Sequence, residues 1–139
     1  HVRSRRQRQM CIRDSYISLL SKNDYYAPNY LKDLMLAVQY TNASVIGKSN
    51  YFVSKNYNLD EVNENSEHEY TEKINMNSAI IRSSLFSNFN LAETFNYLKG
   101  NKDITKLNYL GFKIYSNDKM NYVKNGNEIS DNQKYNVLV

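Results

Sequence analysis

Residues 16–48 read YISLLSKNDYYAPNYLKDLMLAVQYTNASVIGK, and this stretch decides the expected fold. Tyr16–Leu20 is apolar and partly strand-forming, which predicts a buried strand that leads into the polar loop Ser21–Asp24. A helix is predicted from Asn29 to about Thr41, because Pro28 marks a helix start and apolar residues repeat at helical spacing, at Leu31, Leu34, Met35 and Val38.

A second strand is predicted at Ala43–Ile46, closed by Gly47. Further strands are predicted downstream at Tyr51–Val53, Tyr70–Ile74, Ser78–Ile81, Phe112–Tyr115 and Met120–Val123. Two more helices are predicted, one beginning at Asn90 and one from Asp103 to Leu110. We interpret Asn56–His68 as a surface loop and find no strong period in Lys124–Val139. Strands that alternate with helices indicate an α/β layered domain.

The N-terminal residues differ from the rest in charge. Five arginines and one aspartate in residues 1–15 supply the whole net charge of +4, and the remaining chain has equal numbers of basic and acidic residues. The run Arg5–Ser15, RRQRQMCIRDS, resembles the translation of a sequencing adapter of the kind that contaminates metagenomic contigs. We therefore expect residues 1–15 to be a non-native, disordered leader and residues 16–139 to be the folded part. A natural basic arm that binds RNA or a membrane is the alternative.

Several classes of protein are excluded or disfavoured by composition. Cys11 is the only cysteine and lies in the leader, so residues 16–139 offer no disulfide, no cysteine-ligated zinc and no catalytic thiol. No apolar run approaches the ~20 residues that span a bilayer. With the basic leader set aside, we expect a cytoplasmic protein that has no nucleic-acid partner.

Asp24 is the first candidate site residue, because ligands of open α/β sheets bind beyond the carboxyl ends of strands. The alternative is that Asp24 only hydrogen-bonds to its own loop. Tyr25 and Tyr26 are candidates for stacking on a base or sugar ring, or else for packing. Lys48 follows a strand end, where it either approaches a phosphate or is solvated.

Three segments together resemble family 2 glycosyltransferases of cell-surface polysaccharide and teichoic-acid synthesis. They are Ser21–Lys48, Ser78–Phe86 (SAIIRSSLF) and Gly111–Val123 (GFKIYSNDKMNYV). In that family an acidic, DxD-like loop precedes a Tyr-Tyr pair, a PNYL helix start and an A-x-V-I-G-K strand. The resemblance implies the C-terminal part of a GT-A domain, a Rossmann-like mixed sheet flanked by helices, truncated at its N-terminus.

The resemblance also implies a chemistry, namely transfer of a sugar from a nucleotide-diphosphate donor to a glycan or lipid-linked acceptor. Asp24 matches the acidic loop, which in the family holds Mg²⁺ or Mn²⁺ at the donor diphosphate. Here that loop reads Ser21-Lys22-Asn23-Asp24, so it keeps one acid, and Lys22 either contacts a phosphate directly or is solvated.

Two acids match family positions further along the chain. Asp103 matches an acidic pair at a helix start and is the expected catalytic base, although an Asp there also suits the helix dipole. Asp118 matches a position of a family motif, which makes it a candidate contact to substrate or phosphate; the alternative is a turn acid.

By the same resemblance the parent protein is an enzyme that works at the inner face of the membrane, and the fragment alone is inactive. The rival interpretation is a degenerate, non-catalytic member that binds glycan or scaffolds a synthesis complex, which the loss of acids around Asp24 favours.

Overall fold

A computed structural model describes residues 15–86 and 113–139 of the chain. Within these ranges the protein is a mixed α/β structure with two mixed sheets and few helices, which is compatible with the predicted α/β class. The helices predicted at Asn90 and at Asp103–Leu110 lie outside the described residues. No helix in the described part combines the length and apolarity needed to cross a membrane.

The first sheet has five strands in the spatial order β1-β7-β3-β8-β6. Their bounds are β1 Tyr16–Ser18, β3 Val45–Gly47, β6 Glu69–Thr71, β7 Ala79–Arg82 and β8 Ile114–Ser116. Only β3 and β8 pair in parallel, and the other three pairs are antiparallel. The strand predicted at the start of the chain is therefore present, but it is a half-buried edge strand.

The second sheet has four strands in the order β2-β9-β4-β5. Their bounds are β2 Tyr25–Tyr26, β4 Tyr51–Lys55, β5 Asn58–Val62 and β9 Tyr122–Lys124. The parallel pair is β4 with β9. One face of this sheet carries Tyr26, Tyr51 and Tyr122 toward the first sheet, and the other carries Phe52, Leu59 and Val123.

Strand β5 contradicts the surface loop predicted over Asn56–His68. It pairs with β4 at five positions through a two-residue turn, Asn56 and Tyr57. Three of its five side chains are polar, and Leu59 is the one that packs against an apolar cluster. A strand whose other residues stay half-buried or exposed has no clear apolar alternation for sequence inspection to detect.

Helix α1 spans Tyr30–Tyr40, as predicted, and packs on the face of the first sheet that carries Ile46 and Ile80. Its buried face is Tyr30, Leu34 and Ala37. The predicted face was wrong in part, because Leu31 and Met35 are 47% and 40% exposed. The Tyr30 ring packs against the rings of Tyr26 and Tyr122, so Tyr30 and not Leu31 belongs to the buried face.

Gly47 is the last residue of β3. A Cβ there would lie 2.7 Å from the Ser78 carbonyl oxygen and 2.8 Å from the Ala79 Cβ. The glycine thus permits a close approach of two strands.

The C-terminal residues, in which no period was found, contain helix α2, Asp131–Asn136. Ser130 and Gln133 form a reciprocal capping box at its start, and Val137 packs against Val123 and Ile129. The S-x-x-Q spacing was the available sequence signal for this helix.

Candidate functional site

Asp24 lies at an open pocket of about 370 Å³ between the two sheets. The loop after β1, the segment before β7 and the end of β9 all contribute to it. Its lining is mainly polar and consists of Ser21, Asp24, Tyr51, Asn75, Asn77, Lys124 and Asn125. We call this the Asp24 pocket.

The Asp24 carboxylate is held by groups distant in sequence. The Tyr122 hydroxyl donates to Oδ2 at 2.6 Å, and the Asn125 backbone N–H donates to Oδ1 at 2.9 Å. Asn75 Nδ2 donates in turn to the Tyr122 hydroxyl at 2.9 Å. The interpretation that Asp24 only bonds to its own loop is therefore wrong, since the carboxylate ties the loop to β9.

Tyr122 fixes the direction of this carboxylate. Its side chain is fully buried and packs against the rings of Tyr26, Tyr30 and Tyr51. Burial, followed by the hydrogen bond to Asp24 and the charge of Asp24, raises the pKa of Tyr122 far above its usual range. The phenol therefore stays protonated and acts as a fixed donor, and each Asp24 oxygen keeps a lone pair for a ligand.

Lys124 is the one cation among the described residues that line the pocket. It is the last residue of β9 and is exposed. Asn125 follows with φ 57, a left-handed conformation that asparagine tolerates, and this turn aims its N–H at Asp24. An ammonium, a carboxylate and amides on one pocket suit a ligand with both phosphate and hydroxyl groups.

The described residues do not by themselves form a divalent-cation site. No group of three His, Cys, Asp or Glu side chains comes together within residues 15–86 and 113–139. Asp24 is the only carboxylate among the pocket's described lining residues, and both of its oxygens already accept hydrogen bonds. A cation there would depend on phosphate oxygens of a ligand for the rest of its shell.

Tyr25 and Tyr26 do not line the Asp24 pocket. Tyr26 packs in the aromatic cluster, donates to the Asn77 carbonyl at 2.7 Å and accepts from the Ser21 N–H, and burial raises its pKa to about 12. Tyr25 points to the other face of the second sheet, where Lys134 Nζ lies 5.6 Å from its ring centroid. Both side chains serve packing, and Tyr51 is the ring that borders the pocket.

Lys48 is neither solvated nor at the pocket, which corrects both interpretations of it. Its side chain is 0% exposed, and Nζ donates to the Asp118 carbonyl at 2.6 Å and to Asp118 Oδ1 at 3.3 Å. Asp118 Oδ1 also accepts from the Met120 N–H, as a turn acid does. Lys48 and Asp118, both candidates for substrate contact, thus form an ion pair with each other inside the protein.

Asp33 of α1 completes this second cluster. Its Oδ2 is buried and has no hydrogen-bond partner among the described residues. Burial, a hydrogen bond to Asp118 and the negative charge of Asp118 raise the pKa of Asp33 to about 6. Burial alone would raise the pKa of Asp118, but the hydrogen bond from Asp33 and the charge of Lys48 lower it. We call Lys48, Asp33 and Asp118 the Lys48 cluster.

The remaining candidate site residues, Lys22 and Asp103, are not among the described residues that line the Asp24 pocket. Lys22 is exposed in the loop and does not line it. Asp103 lies outside the described residues. Ser15, assigned to the leader, hydrogen-bonds to Ser83 through both its carbonyl and its hydroxyl.

Sequence reasoning missed Tyr51, Asn75, Asn77, Lys124 and Asn125, and it missed the role of Tyr122. Lys124 and Asn125 directly follow the segment Gly111–Val123, and this position was the only sequence signal that they belong to the pocket.

No family model, no curated protein and no solved structure gives a significant match to the chain.

Proposed function

We propose that this chain is part of a family 2 glycosyltransferase with a GT-A domain. The enzyme transfers a sugar from a nucleotide-diphosphate donor to a cell-surface glycan, either lipid-linked or teichoic-acid-like. In this proposal the Asp24 pocket receives the donor, and the parent protein works in the cytoplasm at the inner face of the membrane.

One observation carries the proposal, the hydrogen bond of 2.6 Å between Tyr122 and Asp24. These residues are 98 positions apart and belong to two of the three segments on which the family resemblance rests. β2 also pairs with β9, at Tyr25 with Val123 and at Tyr26 with Tyr122. Convergence of both segments on one open polar pocket supports a shared ligand.

In this proposal each residue of the Asp24 pocket contacts a different group of the donor. Asp24, oriented by Tyr122 and Asn125, accepts hydrogen bonds from donor hydroxyls. Lys124 lies where a point charge can meet the diphosphate, and the amides of Asn75 and Asn77 add donors. A divalent cation, when bound, would supply charge at the departing diphosphate, and Asp24 would be its one carboxylate ligand among the described residues of this pocket.

Transfer itself needs a base for the acceptor hydroxyl. The hydroxyl oxygen bonds to the anomeric carbon, the nucleoside diphosphate leaves with the electron pair, and the proton goes to a carboxylate. Asp103 remains our proposed base, on the family resemblance alone.

The second candidate function is glycan binding or scaffolding by a non-catalytic member of the same fold. It is favoured by the loop Ser21-Lys22-Asn23, which supplies no second acid beside Asp24. Donor binding separates the two candidates, because a scaffold has no need of a nucleotide site.

The experiment is equilibrium binding of UDP-glucose, GDP-mannose and dTDP-glucose to the 139-residue chain. In the family the nucleoside-binding half precedes the matched segments, so we expect millimolar dissociation constants for at least one donor. Asp24→Asn should weaken that binding about tenfold, whereas Asp60→Asn, an exposed acid on β5, should leave it unchanged. Equal binding by D24N and D60N, or binding of none of the three donors, would contradict the proposal.

A further inference from the structure

A second pocket lies at the tip of the β4–β5 hairpin, on the face of the second sheet opposite the Asp24 pocket. It has a volume of about 340 Å³, and its lining residues are Ser54, Tyr57, Glu128, Ile129, Ser130 and Gln133. We call it the hairpin pocket. Its size falls in the range of small-ligand sites.

Tyr57 is held here at a conformational cost. Asn56 and Tyr57 form the two-residue turn with φ of 50 and 66, as a type I′ hairpin turn requires. Glycine is strongly preferred at the second position, because a side chain in the left-handed region is strained. A bulky residue in such a conformation points to a role other than folding.

The Tyr57 ring is also available to a ligand. The residue is 94% exposed, although the turn that carries it is anchored. Gln133 Nε2 donates to the Tyr57 carbonyl at 2.7 Å, and Gln133 is itself fixed by the capping box with Ser130. The ring therefore projects from a well-held backbone into solvent beside a pocket.

The charge of the hairpin pocket's lining residues indicates which class of ligand it can bind. Among its described lining residues Glu128 is the only charged one, so a phosphate or nucleotide is disfavoured. Glu128 is exposed, and the hydroxyls of Ser54 and Ser130 offer further hydrogen bonds. An aromatic face next to a carboxylate and hydroxyls suits a neutral sugar, whose C–H face stacks on a ring while its hydroxyls hydrogen-bond.

We propose that the hairpin pocket binds a neutral saccharide, with the Tyr57 ring stacked on the sugar and Glu128 accepting from its hydroxyls. This site goes beyond the proposed function and does not depend on it. The Asp24 pocket and the hairpin pocket have no described lining residue in common, so each proposal can fail without the other.

The test is saturation-transfer NMR of the 139-residue chain with maltotetraose, cellotetraose and chitotetraose, together with thermal melts. Wild type should give saturation transfer to at least one of the three. Tyr57→Gly should lose that binding at least tenfold while its melting temperature rises by about 4 °C, because glycine relieves the turn. Tyr57→Phe should keep the binding, and Glu128→Gln should weaken it.

Matched controls separate ligand binding from folding. Tyr135→Ala removes a tyrosine that is 77% exposed but outside the pocket, and it should bind as wild type does. Asp60→Asn, at an exposed acid that is not among the pocket's described lining residues, should also leave saccharide binding unchanged. The proposal is overturned if no probe shows saturation transfer with wild type, or if Y57G melts higher and binds equally well.

Discussion

The Asp24 pocket and the Lys48 cluster each contain an aspartate that the sequence suggests as a site residue. The two regions differ in the groups that contact the carboxylate. Asp24 is held by neutral donors, a phenol and a backbone N–H, at an open pocket. Asp118 is neutralised by an ammonium with no exposed surface. A carboxylate fixed by neutral donors at an open pocket remains accessible to a ligand, whereas one paired with a buried ammonium serves the fold.

The largest expected effect comes from removing the cation of the Lys48 cluster. Lys48→Met should lower the free energy of unfolding by about 3 kcal/mol, because it leaves two carboxyl groups without their counter-charge. Urea unfolding measures this. The double variant K48M/D118N should recover part of the loss, and a loss below about 1 kcal/mol for K48M would mean that the pair is not structural.

The next effect is expected at the Asp24 pocket. Tyr122→Phe removes the donor to Asp24 and the acceptor for Asn75, so it should cost about 2 kcal/mol in urea unfolding. It should also weaken donor binding, which K48M should affect only as far as it unfolds the chain. Tyr135→Phe is the control, and equal stability of the two Phe variants would remove the role assigned to Tyr122.

The sequence predicted the framework of both regions better than their contacts. Helix α1 and the strands at Val45–Gly47 and Tyr122–Lys124 follow local patterns and were found within a few residues of their predicted bounds. The direction in which α1 faces was partly wrong, because it depends on the aromatic cluster around Tyr122, which assembles from distant segments. Strand β5 was missed because its pairing with β4, and not an apolar period, defines it.

For the candidate site, the sequence predicted the position of Asp24 but not the residues around it. Asp24 lies in a loop after a strand, as predicted, but the other lining residues come from three other parts of the chain, namely β4, the segment before β7 and the end of β9. Lys48 was misjudged because burial of a lysine depends on a carboxylate, here Asp118, 70 residues away. Such pairings have no local signal.

A smaller effect is expected in the pH dependence of the free energy of unfolding, through Asp33. The folded-state pKa of Asp33, about 6, lies above the reference value of 3.8, so its protonated form stabilises the fold below pH 4 and that stabilisation is lost as pH rises through 6. Asp33→Asn mimics the protonated form. Allowing for solvent screening at this half-buried group, it should gain about 1 kcal/mol over wild type at pH 8 and almost nothing at pH 4.

Urea unfolding of wild type and D33N at both pH values checks this prediction. A gain that does not change between pH 4 and pH 8 would show that Asp33 and Asp118 are not coupled by a proton.

The smallest effect on stability is expected at Lys124. Lys124→Gln should change the free energy of unfolding by less than about 0.5 kcal/mol, since the side chain is exposed. It should nevertheless weaken binding of the nucleotide-sugar donor about fivefold, because it removes the one cation among the described residues that line the pocket. Lys55→Gln, an exposed lysine at the end of β4, is the matched control, and equal binding by both variants would exclude Lys124 from the donor site.

The most direct test of the central claim follows two backbone amides in one NMR titration with the three nucleotide sugars. The Asn125 N–H donates to Asp24, and the Met120 N–H donates to Asp118. If the Asp24 pocket is the donor site, a donor should shift the Asn125 resonance in a saturable way and leave that of Met120 in place. A shift at Met120 alone, or at neither amide, would contradict the account.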